Sequence, residues 1–429
     1  MSRPPPNPLP ALLVLALAYF TLGTAALAVI GLSLPIGHTF DVTPARTGLL
    51  VTVFALTFAA AALLTQSLAG HWPRRRLLLT GLTLLTLGLI AGALAPTFAA
   101  LLLTRVLVAV GAAMIGPAAS ATASQLAPPE RQAQALALVF TGFTFSSVLG
   151  VPLAALLGPA LGWRGTLLAL AGVAVLTALL VRRLVPHLPG GARVTPAVYG
   201  QALTTPGVRP ALLATLLQIA APFAVYGVAA SYLTQRFGST PAWISTTLLA
   251  FGVAGVIGNT LAGLVTARRG FTRTLNLSLI GATVVFVGLF ALPGLPWPGV
   301  IAFAAMSLFT QMFQTPQQAR LIHLGPQVRA LMLALNASVV YLGISVGSAL
   351  GSTLLPHLGA RPLALIPLAL ILVALIASHH ATSASSAGTP PSGTHPHPIP
   401  AERADVSQPA TAPVTPRDPR AWSAPARRG

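Results

Sequence analysis

Groups able to gain and lose a proton near neutral pH are scarce in this chain. Only two carboxylates, Asp41 and Glu130, fall between residues 1 and 378, and neither Lys nor Cys occurs anywhere. Arginine is plentiful but stays protonated, with a pKa above about 12, so it cannot shuttle protons. Asp41 and the membrane-border histidines His38 and His71 are the proton-carrier candidates that remain. There are no paired carboxylates, no His-x-x-x-His helix, no phosphate-cradling loop before a Lys and no nucleophile elbow. These absences argue against a membrane metalloprotease, a prenyltransferase with Asp-rich metal sites and an ATP-driven pump. No enzymatic activity, metal or cofactor is expected, and His379, His380, His395 and His397 read as solvated low-complexity residues.

The remaining chemistry is uncharged recognition plus one buried cation. Arg105 sits deep in an apolar run, where insertion costs at least about 2.5–3.5 kcal/mol. It reads either as a charge facing a cavity and a substrate, or as a clamp on backbone carbonyls of a neighbouring helix. Ser307, Gln311, Gln314 and Gln318 recur at i, i+4, i+7 and i+11, which places them on one helix face. Gln218, Phe223 and Tyr226 combine an amide, a ring and a phenol, a set that suits an amphipathic organic ligand.

These groups must be positioned by membrane helices. Of the 429 residues, 55% are hydrophobic and 7% charged, against about 25% charged in soluble domains. The mean hydropathy is +0.81. A soluble domain, a disordered chain and a nucleic-acid binder are excluded; the net charge of +19 is scattered between apolar runs. Twelve runs approach the 20 or so residues needed to cross the hydrocarbon: roughly 10–34, 47–70, 77–95, 98–121, 133–157, 164–185, 209–234, 242–266, 275–293, 299–319, 329–355 and 361–378. The first is too long for a signal peptide's apolar stretch of about 7–15 residues and is expected to be retained. Arginines in the intervening segments alternate in density. One side holds Arg3, Arg74, Arg75, Arg76, Arg131, Arg182, Arg183, Arg193, Arg209, Arg268, Arg269, Arg273, Arg320 and Arg329; the other holds Arg46, Arg164, Arg236 and Arg361. Positive charge concentrates in cytoplasmic loops, so both termini are expected in the cytoplasm.

The chain reads as two halves. Residues 1–9 form a short tail, 10–185 a first six-helix bundle, 186–208 a polar linker, 209–378 a second bundle, and 379–429 a Pro/Ala/Ser/Thr-rich tail without the makings of a core. At an offset of 197, Gly150, Leu153, Leu157, Pro159, Leu161, Gly162 and Arg164 match Gly347, Leu350, Leu354, Pro356, Leu358, Gly359 and Arg361. A parallel repeat of six spans is the internal symmetry of major-facilitator transporters.

Several segments resemble that superfamily, and within it the twelve-span drug:proton antiporters that include arabinose-efflux-type permeases. They are Gly23-Thr24 to Gly31-Leu32, Arg105 with Gly111-Ala112-Ala113, Gly150-Val151-Pro152-Leu153, Gly162-Trp163-Arg164, Phe223 to Tyr226, Gly252 to Asn259, and Leu335 to Ser338. The resemblance covers most of 10–378. It implies an all-α integral membrane fold of two pseudo-symmetric six-helix bundles, with spans one, four, seven and ten lining a central cavity. Arg105, Gln218, Phe223, Tyr226, Gln311 and Gln314 are then the substrate-facing candidates, Asp41 and His38 the proton-coupling candidates, and Gly150, Pro152 and Gly347 shape helix packing and gating. The departures concern coupling. The loop 70–74 lacks the family's Asp, Ala267 stands where the related loop carries one, and Ala26 replaces a Glu found in many relatives.

The expected function is export of a small organic molecule (a drug-like compound, a sugar or a metabolite) by alternating access at the plasma or inner membrane. Exchange for protons is one form; uptake or facilitated exchange without protons, and a non-transporting sensor or scaffold, are the alternatives. The expected partners are the substrate, protons in the first case, and lipid; no nucleic acid is expected, and the protein is expected to be a monomer.

Overall fold

A computed structural model of the chain describes residues 8–43, 45–128, 131–190, 200, 202–325 and 329–387. Residues 1–7 of the expected first tail, residues 191–199 and 201 of the linker, Glu130 and everything beyond 387 lie outside the described residues.

Inside a bilayer no water can satisfy the backbone, so apolar runs close their hydrogen bonds within helices. Among the described residues, nine helices are long and apolar enough to cross. Two of these, Gln134–Leu184 and Pro241–Ala291, are 51 residues long; straight, each would measure about 75 Å against a hydrocarbon core of about 30 Å. Each is broken by a glycine with positive φ, Gly162 (φ 69°, ψ 162°) and Gly270 (φ 77°, ψ 166°), a region that favours residues lacking Cβ. At the second break the chain turns back: the Thr266 hydroxyl donates to Thr274 across 3.3 Å, whereas residues eight apart in a straight helix are separated by about 12 Å. Pro296–Leu324 is long enough as well, but its glutamines and Arg320 make it the most polar crossing. The result is twelve spans.

In order, the spans are Leu9–Gly31, Leu49–Ala69, Arg74–Ala93, Phe98–Leu126, residues 132–161 and 163–184, Val208–Tyr226, residues 241–269 and 271–291, Pro296–Leu324, Arg329–Leu358, and residues 360–387. Short helices follow the first and seventh spans, Ser33–Phe40 and Ala229–Phe237, each ending on a left-handed residue, Asp41 (φ 51°) and Gly238 (φ 62°). The last helix, Leu365–Ala387, takes in residues 379–387, expected to belong to the tail. That stretch is rich in alanine, and the Thr382 and Ser383 hydroxyls bond back to the Ser378 and His379 carbonyls.

The repeat is a structural one. Asp41 and Gly238, and Gly162 and Gly359 (φ 78°, ψ 169°), are backbone equivalents at the same offset of 197. So are two arginine caps: Arg164 Nε donates to the Ala93 carbonyl at 3.1 Å, and Arg361 Nε to the Phe290 carbonyl at 3.2 Å. In each half a cation meets the unsatisfied C-terminal carbonyls of a helix. Arg236 does the same at Phe290 and Leu292. Three of the four arginines on the arginine-poor face are therefore tied to backbone. At the opposite face the Arg74 amide donates to the Leu188 carbonyl at 3.0 Å, and Arg75 reaches His187 Nδ1 at 3.1 Å. The sixth span thus runs antiparallel to the third.

Within the first half, span one packs against five and three against four and six; within the second, seven packs against eleven and twelve, and ten against the helix pair before it. Glycines allow the closest approaches. A Cβ on Gly343, Gly347 or Gly351 would run into the carbonyls of Leu216, Ala220 and Ala224, and one on Gly142 into that of Ala16. The gating candidates sit in these seams: Gly150 lies on Thr24, and Gly347 on Ala220 and Phe223. Pro152 lacks an N–H, and its ring crowds the carbonyl four residues earlier. The fifth span accordingly widens into a π turn at Ser146–Gly150, and the Val151 amide bonds to Ser146 five residues back.

The halves meet where span two packs against span eleven and where the π turn packs against the eighth span. A Cβ on Gly48 would meet Val228, the Gly227 carbonyl and Ser352, so the seam is tight at the arginine-poor face. Two turns further in, Phe58 stacks on Tyr341 with centroids 3.6 Å apart, and Phe54 lies 6.3 Å from Tyr341.

Candidate functional site

Spans seven, eight and ten bring four expected residues and one unexpected residue together. Gln218 is fully buried and its Nε2 donates to the Thr310 carbonyl at 3.3 Å, which sets it beside the residue preceding Gln311. Its Oε1 has no partner among the described residues, although a buried acceptor left unpaired costs about 1–3 kcal/mol. Gln311 is half-buried and packs with Ser307 against Gly255 of span eight. Tyr226 is buried and stacks on Phe251 with centroids 4.0 Å apart and planes 13° apart; Phe223 meets Tyr226 edge-on at 5.5 Å. Phe251 carries no polar atom, and only its ring stack on Tyr226 reveals its place. Gln314 is half-buried one turn further along the same helix.

Arg105 is not part of this group. It is 2% exposed, and its Nη1, Nη2 and Nε donate to the carbonyls of Ala25 (2.9 Å), Ala26 (2.7 Å) and Leu50 (3.3 Å). Its guanidinium lies 4.8 Å from the Phe54 ring centroid, a cation–π distance. This geometry favours the clamp of the two readings of Arg105: it ties spans one, two and four together through three of its five N–H donors. Asp41 and His38 lie just beyond span one, as the sequence places them. Both are exposed, His38 in the short helix after span one and Asp41 as that helix's left-handed cap, its amide bonded to Gly37.

A second polar cluster went unrecognised in the sequence. Gln317 Nε2 donates to the Ala211 carbonyl and to Thr215 Oγ1, both at 2.7 Å, and Thr215 donates to Asn336. Arg320 Nη2 donates to Gln317 Oε1, and Nη1 to the Ser378 hydroxyl at 2.9 Å and carbonyl at 3.2 Å. Arg320, grouped with the loop arginines by its position near a helix end, is 1% exposed. Gln317 lies one position off the stripe of Gln311, Gln314 and Gln318, so periodicity passed over it, while Gln318 is exposed.

Two repeated bundles of membrane helices, one of them enclosing a group of amides and stacked rings, suit a transporter, and sequence comparison supports this. The family model of the Major Facilitator Superfamily matches residues 12–221 and again 211–428. The chain belongs to this superfamily. It is 30% identical over 346 residues to the inner membrane transport protein YdhP of Escherichia coli, covering 80% of this chain and 88% of that protein. It is 27% identical over 346 residues to a probable sugar efflux transporter of Helicobacter pylori, covering 81% and 88%. Two solved structures share the fold. One is a bacterial homolog to the human lysosomal transporter Spinster, inward-facing and occupied (TM-score 0.72, 18% identity, covering 90% of this chain and 98% of that one). The other is the peptide transporter POT in complex with alafosfalin (TM-score 0.73, 14% identity, 88% and 95%). The protein is thus a multi-pass membrane transporter.

Proposed function

We propose that the protein exports a small organic molecule, with sugars the favoured class, across the inner membrane by alternating access between its two halves. The observation that carries this reading is the group Gln218, Tyr226, Phe251 and Gln311. It pairs flat apolar rings with neutral amides, one of them a buried oxygen lacking a donor, and a sugar offers apolar ring faces and hydroxyl donors. Relatives named as sugar efflux transporters support both substrate class and direction. The arginine distribution supports cytoplasmic termini, which makes the face with Gly48 the outer one. No carboxylate lies in any span, and the two border candidates are exposed. This favours facilitated exchange over proton antiport as the mode of flux. The protein is read as a monomer.

Efflux of labelled mono- and disaccharides from proteoliposomes tests the reading. Flux above protein-free vesicles, unaltered by an imposed pH difference, is expected; absence of flux for every sugar refutes the substrate class, and pH-driven accumulation refutes uncoupled transport.

The outer seam supplies a conformational prediction. Thr240 is exposed and Ser352 is 5% exposed, and no native Cys interferes. An impermeant maleimide added outside is expected to label Thr240→Cys readily and Ser352→Cys slowly. Adding Tyr341→Ala removes the stack on Phe58 and should speed Ser352→Cys labelling severalfold, whereas Tyr341→Phe should not. Equal labelling of Ser352→Cys in all backgrounds would count against gating at this seam.

A further inference from the structure

Arg105 and Arg320 are buried cations without counter-ions among the described residues. Among the described residues their hydrogen bonds go to neutral oxygens, namely backbone carbonyls, the Gln317 amide and the Ser378 hydroxyl. No carboxylate occurs within any of the twelve helices; Asp41 and Glu130 are the only two before residue 402. Hydrogen bonds to carbonyls satisfy donors and spread the charge, but they do not cancel it. Arg105 also lies close to the boundary between the halves. Only Phe54 intervenes, 4.8 Å from the guanidinium on one side and 6.3 Å from Tyr341 on the other.

We infer that this unpaired charge makes the translocation path discriminate by sign: neutral and anionic solutes are accepted, and organic cations of the same shape are rejected, with Arg105 as the main determinant. The inference rests on the transport reading above and adds the charge class of the solute. A unit charge about 10 Å away, acting through an effective dielectric of about 20, changes an equilibrium constant by more than tenfold, in opposite directions for an anion and a cation. Neither Asp41 nor His38 offsets this, because both are exposed to screening solvent.

Tetraphenylborate and tetraphenylphosphonium share one shape and carry opposite charges. Their binding to the full-length protein in an uncharged detergent, measured by equilibrium dialysis against protein-free micelles at about 0.5 M salt to screen surface arginines, tests the inference. The wild type is expected to bind the borate at least tenfold more tightly than the phosphonium. Arg105→Gln should lower that ratio about tenfold, Arg105→Lys should retain it, and Arg182→Gln, at an exposed site, should leave it unaltered. Equal or phosphonium-favouring binding by the wild type overturns the inference, as does an unchanged ratio in monodisperse Arg105→Gln. Should Arg105→Gln fail to fold, the wild-type ratio together with that of Arg105→Lys decides. Failure of sugar efflux would refute the sugar reading without altering this ratio, so the two failures are separable.

Discussion

Exchanging Gly347 for alanine is expected to lower the stability of the purified protein by at least about 1–3 kcal/mol, the usual cost of overpacking, and exchange for leucine to prevent a monodisperse product. The new Cβ would meet the Ala220 carbonyl and the Phe223 Cβ. A carbonyl held in a helix cannot swing aside as a side-chain tip can, so spans seven and eleven must separate. Separation also parts Gly343 from Leu216 and Gly351 from Ala224, which extends the damage over three turns. Gly172→Ala and Gly263→Ala are the controls: a Cβ at either position meets nothing within 4 Å, and both should stay within about 0.5 kcal/mol of the wild type. Thermal unfolding in detergent reads all four. A Gly347→Ala protein that melts like the wild type would mean that the two helices are less closely seated than described.

The second large effect is expected at Gln317. Replacing it with leucine removes the acceptor for Arg320 Nη2 and the donor to Ala211 and Thr215, leaving a buried cation short of a partner. Stranding a buried charged donor costs more than the roughly 1–3 kcal/mol of a neutral group. Arg320→Met should cost less, since it removes the charge and strands only neutral groups, each worth about 1–3 kcal/mol. The double variant should therefore be more stable than the sum of the single effects implies. Gln318→Ala, at an exposed position, should be nearly silent. Simple additivity would show that Arg320 is not held as described.

The twelve spans were legible because a bilayer imposes one length and one composition on each crossing, and because glycine and arginine mark equivalent ends in both halves. Breaks at Gly162 and Gly270 could be anticipated only as gaps between apolar runs; their geometry comes from positive φ. Site residues were legible in part. Gln218, Tyr226 and Gln311 come together because amides and phenols are rare in membrane helices and seek protein contacts. Arg105 could be read either way, because insertion cost says that a buried arginine needs partners without saying whether they are solute or backbone. The answer lies in the carbonyls of Ala25, Ala26 and Leu50, which no residue type announces. Gln317 and Arg320 were missed for a related reason: helical periodicity ranks positions on one helix, whereas their burial is set by Thr215 and Ser378 on two others.

The π turn at Ser146–Gly150 acts as a phase shifter. One residue more than an α turn requires is taken up there, so everything from Val151 to the break at Gly162 is rotated by about 100° relative to an uninterrupted helix. That rotation decides which side of the lower and upper parts of span five faces span one, where Gly142 meets Ala16 and Ala155 meets Gly31. Both contacts need small residues, and a further rotation of about 100° between them would carry one of them away from span one. A register error of one residue within this turn would point one of them into lipid, so the length of the segment is constrained more tightly than its composition.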